Sequence, residues 1–371
     1  MYSFVTRSGS RGNIVINWMK RVWQSLSALR RFTRFTALPF SIILPLLGAG
    51  TVSFLLTSYQ MLGLVGVAIA FHIFAYVLND VVDLSVDRTE PLRADYPLVQ
   101  GTIRPWQALT IALFQIPLAL IFTYWLQASN VAYTALIAAF VLMTVYDIWG
   151  KRTTFPLFTD VIQGLGWGCL AIYGAMVFPD RPSALINVIL VFVVVFTMMI
   201  NGVHGSLRDL DNDLNCGVCT TAILLNVRPT DTGGLVIPLR FRLYALSLQV
   251  LLVSIILLPL AYNWFGYKLM TWSVIMSILL IFILLSLILL NISATSTSNR
   301  IRMIFVGTLH IIITLSSLLI LFAPYLGSGL LRVLLVLYFL PLCSSKILWD
   351  WLMRSINKSK GIHFGNKAIK L

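Results

Sequence analysis

The sequence predicts an all-α fold, a polytopic membrane helical bundle of nine to ten transmembrane helices. Three observations carry that expectation. Of 371 residues, 58% are apolar and only 11% charged, roughly half the charged fraction of an ordinary soluble domain. Apolar runs of about 20 residues, long enough to cross a hydrocarbon core, recur along almost the whole chain. The net charge of +14 is spread unevenly, and its distribution fits a membrane topology rather than a nucleic-acid surface.

Taken in order, residues 1–34 form a basic cytoplasmic N-terminal arm with Arg7, Arg11, Lys20, Arg21, Arg30, Arg31 and Arg34 and no acid. The arm lacks the short apolar core and small-residue cleavage site of a secretory signal. It reads as an amphipathic segment on anionic headgroups or as a disordered tail. The bundle proper occupies 35–326, with spans expected at 35–57, 60–80, 105–126, 130–149, 156–178, 183–205, 237–262, 269–292 and 302–323. Residues 327–371 add a further helix at 329–351 and a basic cytoplasmic tail. With the N-terminus in the cytoplasm, only Arg181, Lys268 and Arg332 of the 27 Lys and Arg residues fall on the far side. An even number of spans then returns Arg354, Lys358, Lys360, Lys367 and Lys370 to the cytoplasm. The reading is of a multi-pass integral membrane protein with termini and active-site loops cytoplasmic.

The 13 acids are the informative residues, because six of them fall in two short windows. The stretch NDVVDLSVD brings Asn79, Asp80, Asp83 and Asp87; the stretch DLDND brings Asp209, Asp211 and Asp213. Each closes an apolar span, the second and the sixth, on the same expected side. Acids at membrane depth are costly and face a cavity or a partner. On a helix, Asn79, Asp83 and Asp87 lie on one arc, and Asp209 and Asp213 repeat the four-residue spacing, while Asp211 points elsewhere. Two facing carboxylate clusters with few lysines nearby repel unless a cation sits between them. All-oxygen ligands suit a hard divalent ion, Mg²⁺ above all, held through a few carboxylates and substrate phosphates, so the implied ligand is a diphosphate. Arg88, Arg93, Lys151, Arg152 and Arg208 stand where cations could bind diphosphate oxygens.

NDVVDLSVD followed by PLVQGTI, with RDLDNDLNCGVCTTAILL later, resembles the two aspartate-rich signatures of the UbiA-type intramembrane prenyltransferases. Pro97, Leu98 and Gly101 match the tail of the first signature; Asp209, Asp213, Gly217 and Thr220 match the second. Tyr146, Lys151 and Arg152, with QGLGWG at 163–168, are similar to the connection of the branch that uses 4-hydroxybenzoate. The resemblance implies a bundle around a central cavity open to lipid. It implies that Asn79, Asp83, Asp209 and Asp213 bind Mg²⁺ with Asp87 supporting, and that Lys151 and Arg152 contact diphosphate. The substrates it implies are an isoprenoid diphosphate and a small aromatic or other acceptor, joined through an allylic carbocation. The catalytic set on this reading is Asp83, Asp87, Asp209, Asp213 and Lys151.

Two departures accompany the match. Tyr96 stands where many members have arginine, so Arg93 or Arg88 takes its place or the diphosphate is held differently. Four spans rather than three follow the second signature. A terpene cyclase that lets the cation attack its own double bonds would use the same aspartates. An ion-coupled transporter would instead place its acids near mid-span.

His72 and His204 read better as hydrogen-bonded interior histidines than as acceptor-binding groups, and His310 reads as structural. Asp147, four residues before Lys151, is expected to pair with it structurally. Cys216 and Cys219 have CxxC spacing, but no second pair completes a zinc site.

Overall fold

The computed structural model describes residues 26–178, 183–231, 234–295 and 300–343. The positions expected to carry Arg181, most of the N-terminal arm and the basic tail lie outside them. A short helix over 26–32, α1, precedes α2 (Leu38–Gly50), α3 (Ser58–Val82) and the single turn α4 (Leu84–Asp87). Next come α5 (Pro105–Trp125), α6 (Asn130–Trp149), α7 (Pro156–Met176) and α8 (Leu185–Met198). The chain continues from α8 through a π-helical segment, Met199–Gly205, into α9 (Ser206–Arg208), α10 (Leu210–Asn215) and α11 (Thr221–Leu224). A two-residue hairpin, β1 (Arg228–Pro229) with β2 (Leu235–Val236), leads to α12 (Leu239–Ala261), α13 (Leu269–Thr295), α14 (Arg300–Phe322) and α15 (Ser328–Cys343).

Among the described residues seven helices are long and apolar enough to cross a membrane: Ser58–Val82, Pro105–Trp125, Asn130–Trp149, Leu185–Arg208, Leu239–Ala261, Leu269–Ser293 and Met303–Phe322. Local chemistry sets several starts. Thr57 and Gln60 form a reciprocal capping box for α3. Ser129 caps α6 through the Ala132 N–H at 3.2 Å. Pro105 and Pro156 open α5 and α7 at the position where a missing N–H costs nothing.

The expected first span is shorter than 35–57. Thirteen residues of α2 rise about 20 Å, less than the hydrocarbon thickness. The helix ends at the small-residue run GAGT, where the Thr51 hydroxyl folds back onto the Gly48 carbonyl at 2.7 Å. The extra C-terminal helix α15 packs along α2, with its Leu330 and, just ahead of the helix, Leu326 against Gly50.

The core is one continuous apolar cluster. Its tightest seam joins α2 to α7: a Cβ on Gly48 would lie 1.9 Å from the Ala171 carbonyl oxygen, and one on Gly174 would lie 2.0 Å from that of Pro45. Such backbone approach between spans demands glycine. On the lipid side α13 exposes Leu280, Ile281, Leu284 and Leu285, and α5 exposes Leu113, Phe114 and Ile121, as bilayer-facing helices should.

Both acidic windows break their helices in the same way. Asp83 separates α3 from α4 with φ −89°, ψ 5°; Asp209 separates α9 from α10 with φ −96°, ψ 6°. This sparsely populated bridge conformation is common among site residues. It re-aims the chain at each carboxylate, a kink that the simple four-residue helical spacing did not anticipate.

Candidate active site

The first window is a compact ionic lattice. Asn79 Nδ2 donates to Asp83 Oδ2 at 3.2 Å and to Asp147 Oδ1 at 3.3 Å. Lys151 Nζ lies 3.3 Å from Asp83 and 3.8 Å from Asp87. Arg93 bridges Asp87 at 2.5 Å and Asp80 at 3.3 Å, and Arg34 donates to Asp80 and, at 3.4 Å, to Asn79. Asp80, Asp83, Asp87 and Asp147 are all buried. The expected repulsion between acids is therefore relieved by the chain's own cations. Lys151, the one lysine among the described residues that line the site, folds onto both Asp83 and Asp87. The expected Asp147–Lys151 pair is corrected too: Asp147 bonds Asn79, and its other oxygen is buried without a hydrogen bond.

The second window reaches the first through its loops. Thr89 Oγ1 donates to Asn212 Oδ1 at 2.8 Å, and Asn212 Nδ2 donates to the Val86 carbonyl at 3.2 Å. Thr89 also contacts Cys216 Sγ at 3.2 Å. Arg208 grips Asp209 with two bonds of 2.7 Å. Asp213 is buried, and its Oδ1 has no hydrogen-bond partner.

Both windows border one cavity of about 620 Å³. Asn79, Asp83, Asp209 and Asp213 line it from the two motifs, and Arg34, Arg93, Lys151 and Arg208 supply cations. Tyr76, Tyr146 and Trp167 contribute aromatic faces. Asp87 stands behind this wall, holding Arg93 and Lys151. The structure does not bring Arg88 or Arg152 into the lining: both are exposed, and the Arg152 guanidinium donates to the Ile148 carbonyl at 3.2 Å. Of the two arginines that could stand in beside Tyr96, Arg93 is the one at the cavity, 5.7 Å over the Tyr96 ring.

Sequence reasoning underweighted Arg34, Asp147, Asp160, Gln163 and Asn201, all of which line the cavity. Arg34 holds a left-handed backbone, φ 44°, between α1 and α2. That costly conformation for a long side chain turns it toward Asp80. His72 faces away from the cavity, bonded to Ser41 at 2.7 Å and the Thr33 carbonyl at 2.8 Å. His204 and His310 meet at 2.9 Å, and His310 passes the chain to Gln249 at 2.9 Å and on to Ser286 at 2.8 Å. This buried string ties four spans together.

The charges are tuned outside the spans. Burial pushes Asp213 up to about 7, helped by Asp209 and Asp83 and opposed by Lys151. Burial also raises Asp87, against Arg93 and Lys151. For Asp209 burial acts upward, but the bonds and charge of Arg208 outweigh it and hold the carboxyl below its usual range.

Among the described residues no three His, Cys, Asp or Glu side chains converge closely enough to hold an ion by themselves. That arrangement fits Mg²⁺, which commonly takes one or two carboxylates and completes its shell with water and phosphate oxygens. The unpartnered Asp213 Oδ1 and the cavity-facing Asp83 and Asp209 are hard oxygen donors of the right kind.

The helices define a polytopic integral membrane protein with an ion-rich cavity at one end of its bundle. The chain belongs to the UbiA prenyltransferase family, whose model matches residues 36–306. Its fold is similar to that of a digeranylgeranylglyceryl phosphate synthase (TM-score 0.59, 17% identity, covering 83% of this chain and 99% of that one). It is also similar to the apo UbiA homolog from Aeropyrum pernix K1 (0.59, 16%, 77% and 95%). A third likeness is the UbiA homolog from Archaeoglobus fulgidus bound to DMAPP and Mg²⁺ (0.57, 15%, 78% and 98%). At these identities the likeness concerns the fold. No curated protein matches the sequence significantly.

Proposed function

We propose that this chain is a Mg²⁺-dependent intramembrane prenyltransferase that ionises an isoprenoid diphosphate and delivers the allylic cation to a small acceptor. The observation that carries the reading is the meeting of both acidic motifs, with six Lys and Arg residues, on one cavity. Asn79, Asp83, Asp209 and Asp213 are the residues that would hold Mg²⁺. Bound there, the metal would neutralise charge on the departing diphosphate. Lys151, Arg93 and Arg208 bind diphosphate oxygens as point charges and forks. Asp87 and Asp80 hold Lys151, Arg93 and Arg34 in place, which orients those cations before substrate arrives. Deeper in, Trp167, Tyr76 and Tyr146 exclude water from the cation and present ring faces to it. The acids lie at helix ends beside basic loops, which favours diphosphate chemistry over transport.

The test is incubation of purified protein with Mg²⁺ and geranyl, farnesyl or geranylgeranyl diphosphate without acceptor. Tight binding with little turnover is expected. Cyclic hydrocarbons or alcohols would instead identify a cyclase on the same machinery. Asp83→Ala and Asp213→Ala are expected to lose Mg²⁺-dependent binding of the diphosphate while remaining folded in detergent, and binding at the wild-type affinity by either variant would refute the metal assignment.

A further inference from the structure

Beyond the ion-rich mouth, the cavity wall carries a second polar patch that diphosphate binding does not use. Asp160 and Gln163 lie on one face of α7, with Trp167 one turn further along. Asn201 faces them from the π-helical segment that follows α8, a local widening of the helix frequently found at functional sites. Gln163 Oε1, Asn201 Nδ2 and Thr220 Oγ1 are buried without hydrogen-bond partners, and all three residues line the cavity. Asp160 is buried and accepts from a neutral group, the Thr221 hydroxyl at 3.0 Å. Gly202 makes room for this arrangement. A Cβ there would lie 2.7 Å from the Tyr244 hydroxyl and 2.9 Å from Asp160 Oδ2.

A buried donor or acceptor left unpaired is destabilising, so such a group lining an open cavity is explained by a ligand or water that completes it. Resting on the prenyltransferase reading, the geometry points to this patch as the acceptor subsite, built for an uncharged molecule with one hydroxyl donor and one oxygen acceptor. The hydroxyl donates to Asp160 or Gln163, Asn201 donates to the second oxygen, and Trp167 covers an aromatic face. A carboxylated acceptor is disfavoured, because Asp160 would meet a like charge without a paired cation. In the transfer, the C1–O bond to diphosphate breaks with its electrons leaving on the diphosphate. A bond forms from C1 to the acceptor's nucleophilic atom, and the proton released from the acceptor passes to the Asp160 carboxylate.

The experiment uses the full chain in nanodiscs loaded with Mg²⁺ and geranyl S-thiolodiphosphate, which does not ionise readily. Methyl 4-hydroxybenzoate and 4-hydroxybenzoate, an ester and a carboxylate on the same ring, are titrated calorimetrically against empty nanodiscs as reference. The ester is expected to bind at least tenfold more tightly than the acid. Asp160→Asn and the near-isosteric Gln163→Leu should each weaken the ester at least tenfold and leave the thiolodiphosphate Kd within twofold. Equal or tighter binding of the acid, or an unchanged ester Kd in both variants, overturns the subsite while sparing the prenyltransferase reading. Failure of the wild-type chain to bind thiolodiphosphate with Mg²⁺ overturns both.

Discussion

Lys151 offers the sharpest test of how the first motif receives a diphosphate. Its ammonium stands 3.3 Å from Asp83 and 3.8 Å from Asp87, half-buried at 28% side-chain exposure, and also lines the cavity. At an effective dielectric constant of about 20, those separations correspond to gross attractions of about 5 and about 4 kcal/mol. Both are reduced by the solvent that reaches the ammonium and by the desolvation of the acids. A charge-assisted bond from Lys151 to a diphosphate oxygen is therefore worth about 1.5–3 kcal/mol net, or roughly 10- to 150-fold in affinity. Lys151→Gln should raise the Kd for farnesyl S-thiolodiphosphate by at least tenfold at saturating Mg²⁺, read by calorimetry in nanodiscs. Arg88→Gln and Arg152→Gln provide the contrast, since neither guanidinium reaches the lining. Each should shift the same Kd by less than threefold. A Lys151→Gln Kd within threefold of wild type, or a larger loss in Arg152→Gln than in Lys151→Gln, would refute the placement.

Other outcomes follow from the packing. Gly174→Ala forces a methyl to within 2.0 Å of the Pro45 carbonyl oxygen and should destabilise the α2–α7 seam by about 1–3 kcal/mol. That appears as a melting temperature several degrees lower by intrinsic fluorescence, whereas Gly329→Ala, with nothing within 4 Å, leaves it unchanged. His310→Leu strands the Gln249 and His204 groups it bonds. It should cost about 1–3 kcal/mol for each group left unsatisfied, and an unaltered melting temperature would show that the buried string contributes nothing.

Much of this fold was legible because its signals are local. Long apolar runs mark Ser58–Val82 and Leu269–Ser293, and acids as scarce as Asp83 and Asp213 stand out against such a background. Harder to read were features that depend on contact between distant segments. Asp147 looked like a helical partner of Lys151 because the four-residue spacing permits it, yet Lys151 turns to Asp83 and Asp87, and Asp147 accepts from the Asn79 amide instead. Arg34 lies 45 residues from Asn79, and only the left-handed turn before α2 brings them together. Asp160 and Asn201 carry no motif, and Gln163 entered only as the first residue of QGLGWG; Asp160 and Gln163 spaced three apart on the otherwise small and apolar face of α7 were the available hint. The shortness of α2 was hidden because VSFLL continues the apolar run after the helix has stopped.

Electron paramagnetic resonance of Mn²⁺, substituted for Mg²⁺ in the presence of farnesyl S-thiolodiphosphate, bears most directly on the convergence of the two motifs. One bound Mn²⁺ population coupled to phosphorus is expected in the wild-type chain, and its signal should vanish in Asp83→Asn and equally in Asp213→Asn. Full retention of that phosphorus-coupled signal in either variant would mean that the two motifs do not share a ligand.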